Sequence, residues 1–360
     1  MSATDSAALR RALEFQDAML EHVSRTFALT IPELPGPLRR SVTNAYLLCR
    51  IADTIEDDHA LDADAKREHS ERFIAVLAGR EAATAFSAAL APRLSAHTPE
   101  AERELIARTD DVITVTHSLP AADRSALERC VTTMSRGMWA CQSSADTSGL
   151  ATVAELDQYC YYVAGVVGEM LTELYCSHSP DTARHRDRLM ALAPSFGQGL
   201  QMTNILKDMW EDRRRGVCWL PREVFTGLDG HPDDLLAALD APAFREGLRH
   251  LVGIARGHLA NARDYTLLVP GTELGFRRFC LWAIGLALLT LRNIHRQPGF
   301  REGRAVKVSR RSVRIVTATG GALAGWNMPL KALHGWLARG LPAPDETPSY
   351  VRRGVAMSGS

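Results

Sequence analysis

A row of oxygen-bearing side chains lies in the stretch from Gln201 to Asp212. If this stretch is helical, Asn204, Asp208 and Asp212 follow one another at intervals of four residues and line a single helix face. In proteins Mg²⁺ is held by one or two carboxylates, while water and substrate phosphates take its other positions. Together with Lys207, the row therefore predicts one half of a Mg²⁺–diphosphate site.

A second acidic pair, Asp53 and Asp57, stands at the end of another predicted helix, with Tyr46 and Arg50 before it on roughly the same face. Like charges at this spacing repel by a few tenths of a kcal/mol in an isolated helix, so the pair favours a nearby cation. Taken alone, the pair is better explained as a solvated acidic helix end, because acidic clusters are common on protein surfaces. If it faced the first row across a bundle, the two would form a site able to ionise an allylic diphosphate.

An apolar segment over residues 153–175 contains Gly165 and Gly168. Glycine inside a helix costs about 0.5–1 kcal/mol relative to alanine. The two glycines indicate either a kink or ligand approach, or a tight contact between two helices, and the sequence leaves both open. A tyrosine cluster that begins at Tyr159 could offer hydroxyls or ring faces to a cavity.

The hydrophobic pattern predicts an all-α chain, because apolar residues recur at helical spacing and alternating β-branched runs are scarce. We predict a single-domain helical bundle with a central apolar cavity over residues 1–341, and a flexible tail over 342–360. A strongly basic loop is predicted over 299–314. In addition to the segment 153–175, the predicted helices cover residues 7–23, 38–57, 65–77, 99–117, 121–141, 195–213, 232–268, 276–295 and 317–341.

Composition argues against several protein classes. Lys and Arg number 42 and so do Asp and Glu, so we expect no nucleic-acid partner, which would need a basic excess. The seven cysteines form no CxxC pair, which argues against structural zinc and favours a reduced, cytoplasmic protein. We expect no secretory signal and no membrane span, since the longest apolar run, 279–291, would cover only about 20 Å of roughly 30 Å of hydrocarbon. A strongly apolar substrate would still favour peripheral contact of the protein with the inner face of the membrane.

Four motifs resemble those of the squalene/phytoene synthases, in the same order and at the same spacings. They are Ser24-Arg25-Thr26-Phe27, Tyr46-x3-Arg50-x2-Asp53-Thr-Ile-Glu-Asp57, Tyr159-Cys-Tyr-Tyr-Val-Ala-Gly-Val-Val-Gly168 and Gln201-x2-Asn204-x3-Asp208-x3-Asp212. The resemblance spans roughly residues 15–310 and implies an all-α isoprenoid-synthase fold. It also implies that two or three Mg²⁺ ions and the diphosphates are held between the two Asp-rich helices, with the metal bound by Asp53, Asp57, Asn204, Asp208 and Asp212.

The resemblance further implies a reaction, the head-to-head condensation of two farnesyl diphosphate molecules through presqualene diphosphate. Under this hypothesis Tyr159 shuttles the proton of cyclopropane closure, with the departing diphosphate as a competing base. The four aspartates would stabilise the leaving group through the metal. The residues predicted to bind the substrate are Arg25, Tyr46, Arg50, Gln201, Asn204 and Lys207.

The C-terminal third separates the branches of the family. The segments Arg278-Phe279-Cys280 and Arg304-Ala-Val-Lys307-Val resemble the branch that reduces its product to squalene with NADPH. Lys307 and Arg310 are therefore predicted to bind the phosphates of NADPH. The alternative is a dehydrosqualene or phytoene synthase, which loses a proton and needs no NADPH. A terpene cyclase, a chain-elongating prenyltransferase and a catalytically silent pathway partner also remain open.

Overall fold

The structure of the chain is a computed structural model that describes residues 3–24, 26–142, 147–225, 236 and 242–344. Within these ranges the chain is helical, and an isolated bridge between Leu150 and Pro221 is the one strand-like pairing there. The prediction of an all-α fold is confirmed. The α-helices are α1 (Ala3–Val23), α2 (Phe27–Thr30), α3 (Gly36–Asp57), α4 (Ala63–Leu77), α5 (Ala83–Leu90), α6 (Glu100–Ala107), α7 (Thr109–Ser118), α8 (Ala121–Gln142), α9 (Val153–Cys160), α10 (Val166–His178), α11 (Pro180–Ala183), α12 (Arg186–Arg214), α13 (Pro242–Leu268), α14 (Leu274–Arg296), α15 (Arg310–Leu323) and α16 (Asn327–Leu337).

The central helix of the bundle is α12. It packs against α10, α13 and α14, and against a π-helical turn, Tyr161–Gly165, that joins α9 to α10. Its buried side includes Met202, Leu206 and Met209. Because residues four apart share a helix face, the acidic row falls on a different side of the same helix. One helix thus supplies both core side chains and site side chains.

Glycines allow α12 to approach α10 and the π-helical turn at very short range. A Cβ atom on Gly168 would lie 2.2 Å from the carbonyl oxygen of Ala193, and one on Gly197 would lie 2.0 Å from that of Ala164. Neither distance leaves room for a side chain. Of the two explanations that the sequence left open, tight helix contact accounts for Gly168, and the adjacent π-helical turn adds a local change of helix geometry.

A continuous apolar core includes residues from Phe15 to Leu341. In the described ranges one helix, α14, is long and apolar enough to cross a membrane, but 61% of its most apolar window is buried inside the bundle. Its Phe276 stacks on Tyr175, with ring centroids 3.5 Å apart. In this structure α14 is therefore a core helix. The predicted domain limits, 1–341, stay a prediction.

The predicted helix over 99–117 is wrong in its continuity, because the chain divides at Arg108 into α6 and α7. Arg108 has φ −111° and ψ 30°, outside the α-helical region. Next to it the hydroxyl of Thr109 donates a hydrogen bond to the carbonyl oxygen of Ile106 at 2.8 Å. Threonine hydroxyls compete in this way with backbone hydrogen bonds, which favours a break.

The predicted helix over 317–341 is also wrong, since two helices, α15 and α16, occupy this part of the chain. The first begins early because the hydroxyl of Ser309 accepts a hydrogen bond from the backbone N–H of Ser312 and caps α15. The predicted basic loop over 299–314 is accordingly helical from Arg310 onward. Residues 345–360 of the predicted tail lie outside the described residues. So do most of the residues before Pro242 with which the predicted helix over 232–268 begins.

Candidate active site

The two acidic helix faces line one cavity of about 390 Å³. Asp53 and Asp57 enter it from the end of α3, while Asn204, Asp208 and Asp212 enter it from α12. The spacing of the acids within each helix predicts that each set shares a face, and the fold turns both faces toward the same space. The cavity therefore has an acidic wall on each of two helices.

Most other predicted site residues lie at this cavity as well. Tyr46 lies behind the wall, where its hydroxyl accepts a hydrogen bond from Arg50 Nη2 at 2.8 Å and donates one to the carbonyl oxygen of Val23 at 3.1 Å. Tyr46 thus orients Arg50. Arg25 lies outside the described residues. The predicted residues that line the cavity beside the metal set are Arg50, Tyr159, Gln201 and Lys207.

Burial raises the pKa of Asp53, Asp208 and Asp212. Burial raises the pKa of Asp53 to about 7; Arg50 opposes the shift, and the Asp57 carboxylate adds to it. Burial likewise raises the pKa of Asp212 to about 7, with Arg215 opposing and Asp208 contributing. Arg50 and Arg215 therefore do not fully offset the cost of burying these ionised carboxylates.

Basic side chains nevertheless lie next to both acidic walls. Lys207 Nζ is 2.9 Å from Asp208 Oδ2, and burial still raises the pKa of Asp208 although Lys207 opposes it. Arg215 Nη1 is 3.3 Å from Asp57 Oδ1. On α3, Arg50 Nη1 lies 3.8 Å from Glu102 Oε1. These cations could bind a diphosphate anion once the carboxylates engage a metal.

The donor set fits Mg²⁺. Its ligands would be carboxylate oxygens and the Asn204 amide oxygen, which are the hard donors that Mg²⁺ prefers. Burial is the main cause of the raised pKa values of Asp53, Asp208 and Asp212, so these carboxylates are poorly stabilised when ionised and a divalent cation would stabilise them. In the described part of the chain no three His, Cys, Asp or Glu side chains converge closely enough to hold a metal unaided. Mg²⁺ that is held by one or two carboxylates keeps its other coordination positions for water and substrate phosphate.

Tyr159 lines the acidic cavity and stacks on Trp219, which lines it too. The ring centroids are 3.7 Å apart and the planes differ by 8°. Burial raises the pKa of Tyr159 well above 10, and the carboxylates of Glu56 and Asp57 contribute. The phenol is therefore neutral, and it can donate a hydrogen bond but is a poor free base. Beside the two rings, the apolar wall consists of Val163, Ile205 and Val217.

Several cavity residues were not among the predicted site residues. Arg215 could have been proposed from the sequence, because it belongs to a run of three arginines directly after the acidic row. The fold brings Arg215 to Asp57. No local pattern in the sequence indicates Lys66, because it belongs to another helix, α4. Its Nζ donates a hydrogen bond to the carbonyl oxygen of Glu56. The further lining residues outside the predicted set are Glu56, His59, Val163, Ile205, Val217 and Trp219.

The segment before Lys307 packs directly on α12. Trp210 Nε1 donates a hydrogen bond to the carbonyl oxygen of Phe300 at 2.6 Å. A Cβ atom on Gly303 would lie 3.0 Å from Asp208 Oδ1, so this backbone passes beside the acidic row. Lys307 and Arg310 themselves are exposed and are not among the cavity residues. The structure thus brings the predicted NADPH-binding segment to the site helix without placing its two cations in the cavity.

Comparison with known proteins identifies the family. A sequence model of the family described as "Squalene/phytoene synthase" matches residues 20–312. Squalene synthase ERG9 of Candida albicans is 29% identical over 291 residues, which cover 79% of this chain and 62% of that protein. Squalene synthase of Schizosaccharomyces pombe is 28% identical, with 82% of this chain and 64% of that protein covered. The chain thus spans somewhat less than two thirds of the length of these relatives.

Solved structures agree with the sequence relatives. The complex of TcSQS with the ligand BPH1237 has a TM-score of 0.75 and 26% identity, with 91% of both chains covered. Squalene synthase HpnC from Alicyclobacillus acidocaldarius shares the fold, with a TM-score of 0.53 at 21% identity and 82% and 96% of the two chains covered. The acidic motifs of both walls, 53–57 and 204–212, lie within the region that the family model matches. This chain belongs to the squalene/phytoene synthase family.

Proposed function

We propose that this protein is a prenyltransferase that joins two farnesyl diphosphate molecules head to head and reduces the product to squalene. The observation that carries the proposal is the pair of acidic walls around one cavity, with basic side chains beside both. An allylic diphosphate ionises when its leaving group is stabilised, and facing oxygen ligands with adjacent cations suit that purpose. The relatives named squalene synthase support the farnesyl substrate.

Mg²⁺, two or three ions in our proposal, would be held by Asp53 and Asp57 on one wall and by Asn204, Asp208 and Asp212 on the other. When bound, the metal neutralises the charge that develops on the departing diphosphate. Arg215, Lys207 and Arg50 would contact the phosphate oxygens directly. Gln201 would support them by hydrogen bonding, and Tyr46 keeps Arg50 in place. Arg25 stays in the proposed substrate-binding set, supported by the resemblance alone.

Carbon–carbon bond formation would take place on the inner side of the acidic walls. Loss of diphosphate from the first farnesyl group leaves an allylic cation, which the double bond of the second farnesyl group attacks. Closure of the cyclopropane then releases one proton and gives presqualene diphosphate. Because the pKa of Tyr159 is raised by burial, we propose that its hydroxyl relays this proton to the departed diphosphate and does not hold it.

Reduction would follow a second ionisation and rearrangement, with NADPH supplying the hydride. Lys307 and Arg310 fit the phosphates of this cofactor, since both are exposed cations, with Lys307 shortly before α15 and Arg310 as its first residue. The packing of Gly303 beside Asp208 brings this segment to the site helix. We further propose a cytoplasmic location with peripheral membrane contact for release of the apolar product, and no nucleic-acid partner.

One incubation separates the proposal from its rivals. Purified protein is supplied with farnesyl diphosphate and Mg²⁺, with and without NADPH, and the products are identified by mass. We expect squalene only when NADPH is present. Dehydrosqualene irrespective of NADPH, or turnover of geranylgeranyl diphosphate alone, would assign the chain to the phytoene or dehydrosqualene branch. A cyclic product or a lengthened diphosphate would indicate a cyclase or a chain-elongating enzyme.

A further inference from the structure

Large apolar side chains are exposed at the C-terminal end of the described chain. In the described ranges seven large hydrophobic residues are exposed, and four of them fall between residues 315 and 336. The exposed fractions are 51% for Ile315, 62% for Trp326, 76% for Met328 and 59% for Trp336. Single exposed hydrophobics are ordinary, whereas a concentration of them marks an interaction surface.

These residues lie on the outward faces of α15 and α16. Along α15 the exposed positions 310, 311, 314, 315, 318 and 322 follow the spacing of one helix face, and along α16 so do 327, 328, 331, 332, 335 and 336. Trp326 is the N-cap residue of α16, and Arg339 lies just beyond its end. A Cβ atom on Gly285 of α14 would meet Val316 at 2.6 Å and Leu337 at 3.7 Å. The inward faces of both helices therefore pack on the same part of α14, and the two helices also contact each other.

The charged side chains of this segment all have one sign. No Asp or Glu occurs from residue 303 to residue 344, although the whole chain carries equal numbers of acidic and basic residues. Arg311, Arg314, Lys331 and Arg339 are exposed among the apolar residues. The C-terminal face is defined here by four apolar and four basic residues: Ile315, Trp326, Met328, Trp336, Arg311, Arg314, Lys331 and Arg339.

We propose that the C-terminal face docks the protein on an anionic lipid bilayer. Tryptophan is enriched at the membrane interface, and each Lys or Arg near an anionic surface strengthens binding. Amphipathic helices that combine such residues lie in the plane of the interface. Ile315 and Met328 distinguish the surface from a nucleic-acid-binding one, which would be basic and polar. Lys307 and Arg310 are left out of the face, so the proposal is independent of NADPH binding.

Vesicle sedimentation of the full chain tests the proposal. The vesicles are either phosphatidylcholine alone or phosphatidylcholine with roughly one third phosphatidylglycerol. We expect binding to the anionic vesicles that weakens with added salt, and a blue shift of tryptophan fluorescence. Arg311→Glu with Arg314→Glu should weaken binding about tenfold or more, since each cation contributes roughly a fivefold factor. Trp326→Ser with Met328→Ser should weaken it about tenfold through lost apolar contact.

A matched control reverses two charges elsewhere. Arg10 and Arg11 are exposed on α1, which packs against α3 and α7, and Arg10→Glu with Arg11→Glu should leave vesicle binding within about twofold. All variants should keep the melting temperature of the parent protein. An inactive Asp208→Asn protein should bind vesicles normally, which separates this proposal from the proposed reaction. Equal loss in the α1 control, equal binding to neutral vesicles, or equally tight binding to duplex DNA would overturn it.

Discussion

The guanidinium of Arg215 connects the two acidic helices, with its Nη1 3.3 Å from Asp57 Oδ1. Asp57 ends α3, whereas Arg215 is the C-cap residue of α12. Both side chains are about half exposed, so the ion pair contributes only about 0–1 kcal/mol to folding. Its position at the mouth of the cavity is better explained by the diphosphate, toward which Arg215 could turn when a metal occupies Asp57.

Replacement of Arg215 should therefore affect catalysis more than stability. We expect Arg215→Leu to lower kcat/KM for farnesyl diphosphate about 10- to 100-fold, because a hydrogen bond to a charged group is worth about 1.5–3 kcal/mol. The melting temperature should hardly change. Steady-state kinetics of diphosphate release measures the effect. The neighbouring Arg214 pairs with Glu211 at 3.3 Å and does not line the cavity, so equal losses for Arg214→Leu and Arg215→Leu would contradict a specific role.

The raised pKa values of Asp53 and Asp212, both about 7, predict how stability depends on pH. Between the unfolded value of about 3.9 and this folded value, the folded protein binds more protons than the unfolded chain. The free energy of unfolding of the metal-free protein should thus fall as pH rises from about 6 to about 8. In EDTA the melting temperature should fall by roughly a few degrees over this range.

Added Mg²⁺ should reverse that loss most strongly at the higher pH, because the metal binds the ionised carboxylates. A variant with both Asp53→Asn and Asp212→Asn has lost these titrations and should give a flatter curve of melting temperature against pH. A parent protein that melts higher at about pH 8 than at about pH 6 without metal would show that the acids are not destabilised when ionised.

Tight packing of α12 on α10 predicts a strong effect of substitution at Gly168. Its added Cβ would lie 2.2 Å from the carbonyl oxygen of Ala193, and backbone cannot yield as a side chain does. We expect Gly168→Ala to lower the free energy of unfolding by about 2 kcal/mol or more in chemical denaturation. Gly335 lies inside α16 with nothing within 4 Å of its Cβ position. Gly335→Ala should instead stabilise by about 0.5–1 kcal/mol, and a loss of similar size at both positions would refute this explanation.

Substitution at Lys307 and Arg310 should separate the two half-reactions. With both changed to Gln, we expect the KM for NADPH to rise about tenfold or more, since two charge-assisted contacts are lost. Presqualene diphosphate should form at the parent rate, and dehydrosqualene should replace part of the squalene. Product analysis by mass measures the ratio. Arg304, which pairs with Glu302, provides the control as Arg304→Gln, and an unchanged product ratio in the double variant would place the cofactor elsewhere.

The acidic walls could be predicted because i, i+4 spacing fixes which side chains share a helix face. Their partners could not, because long-range packing decides which helices face each other. Lys66 reaches the cavity from α4, and Trp219 stacks on Tyr159 from the chain after α12. Neither contact leaves a local pattern in the sequence. The role of Gly168 likewise depends on its neighbour Ala193, which lies on another helix.

The break at Arg108 and the early start of α15 are of a different kind. Both depend on single hydroxyl hydrogen bonds, from Thr109 and to Ser309, which compete with hydrophobic periodicity over one or two residues. Such bonds change where a helix begins or ends without changing its existence. The helical bundle could therefore be predicted as a fold, whereas the residues at which individual helices begin and end could not.

The proposed reaction depends above all on the acidic row of α12, and Asp208→Asn tests it most directly. Release of diphosphate from farnesyl diphosphate is measured at saturating Mg²⁺, with Asp187→Asn in the first turn of the same helix as the matched control. We predict a loss of about 10³-fold for Asp208→Asn, as expected when a metal ligand worth several kcal/mol in the transition state is removed. The folded protein should be at least as stable as the parent, because burial penalises the ionised carboxylate. Activity within about twofold of the control would contradict the assignment of this cavity as the catalytic centre.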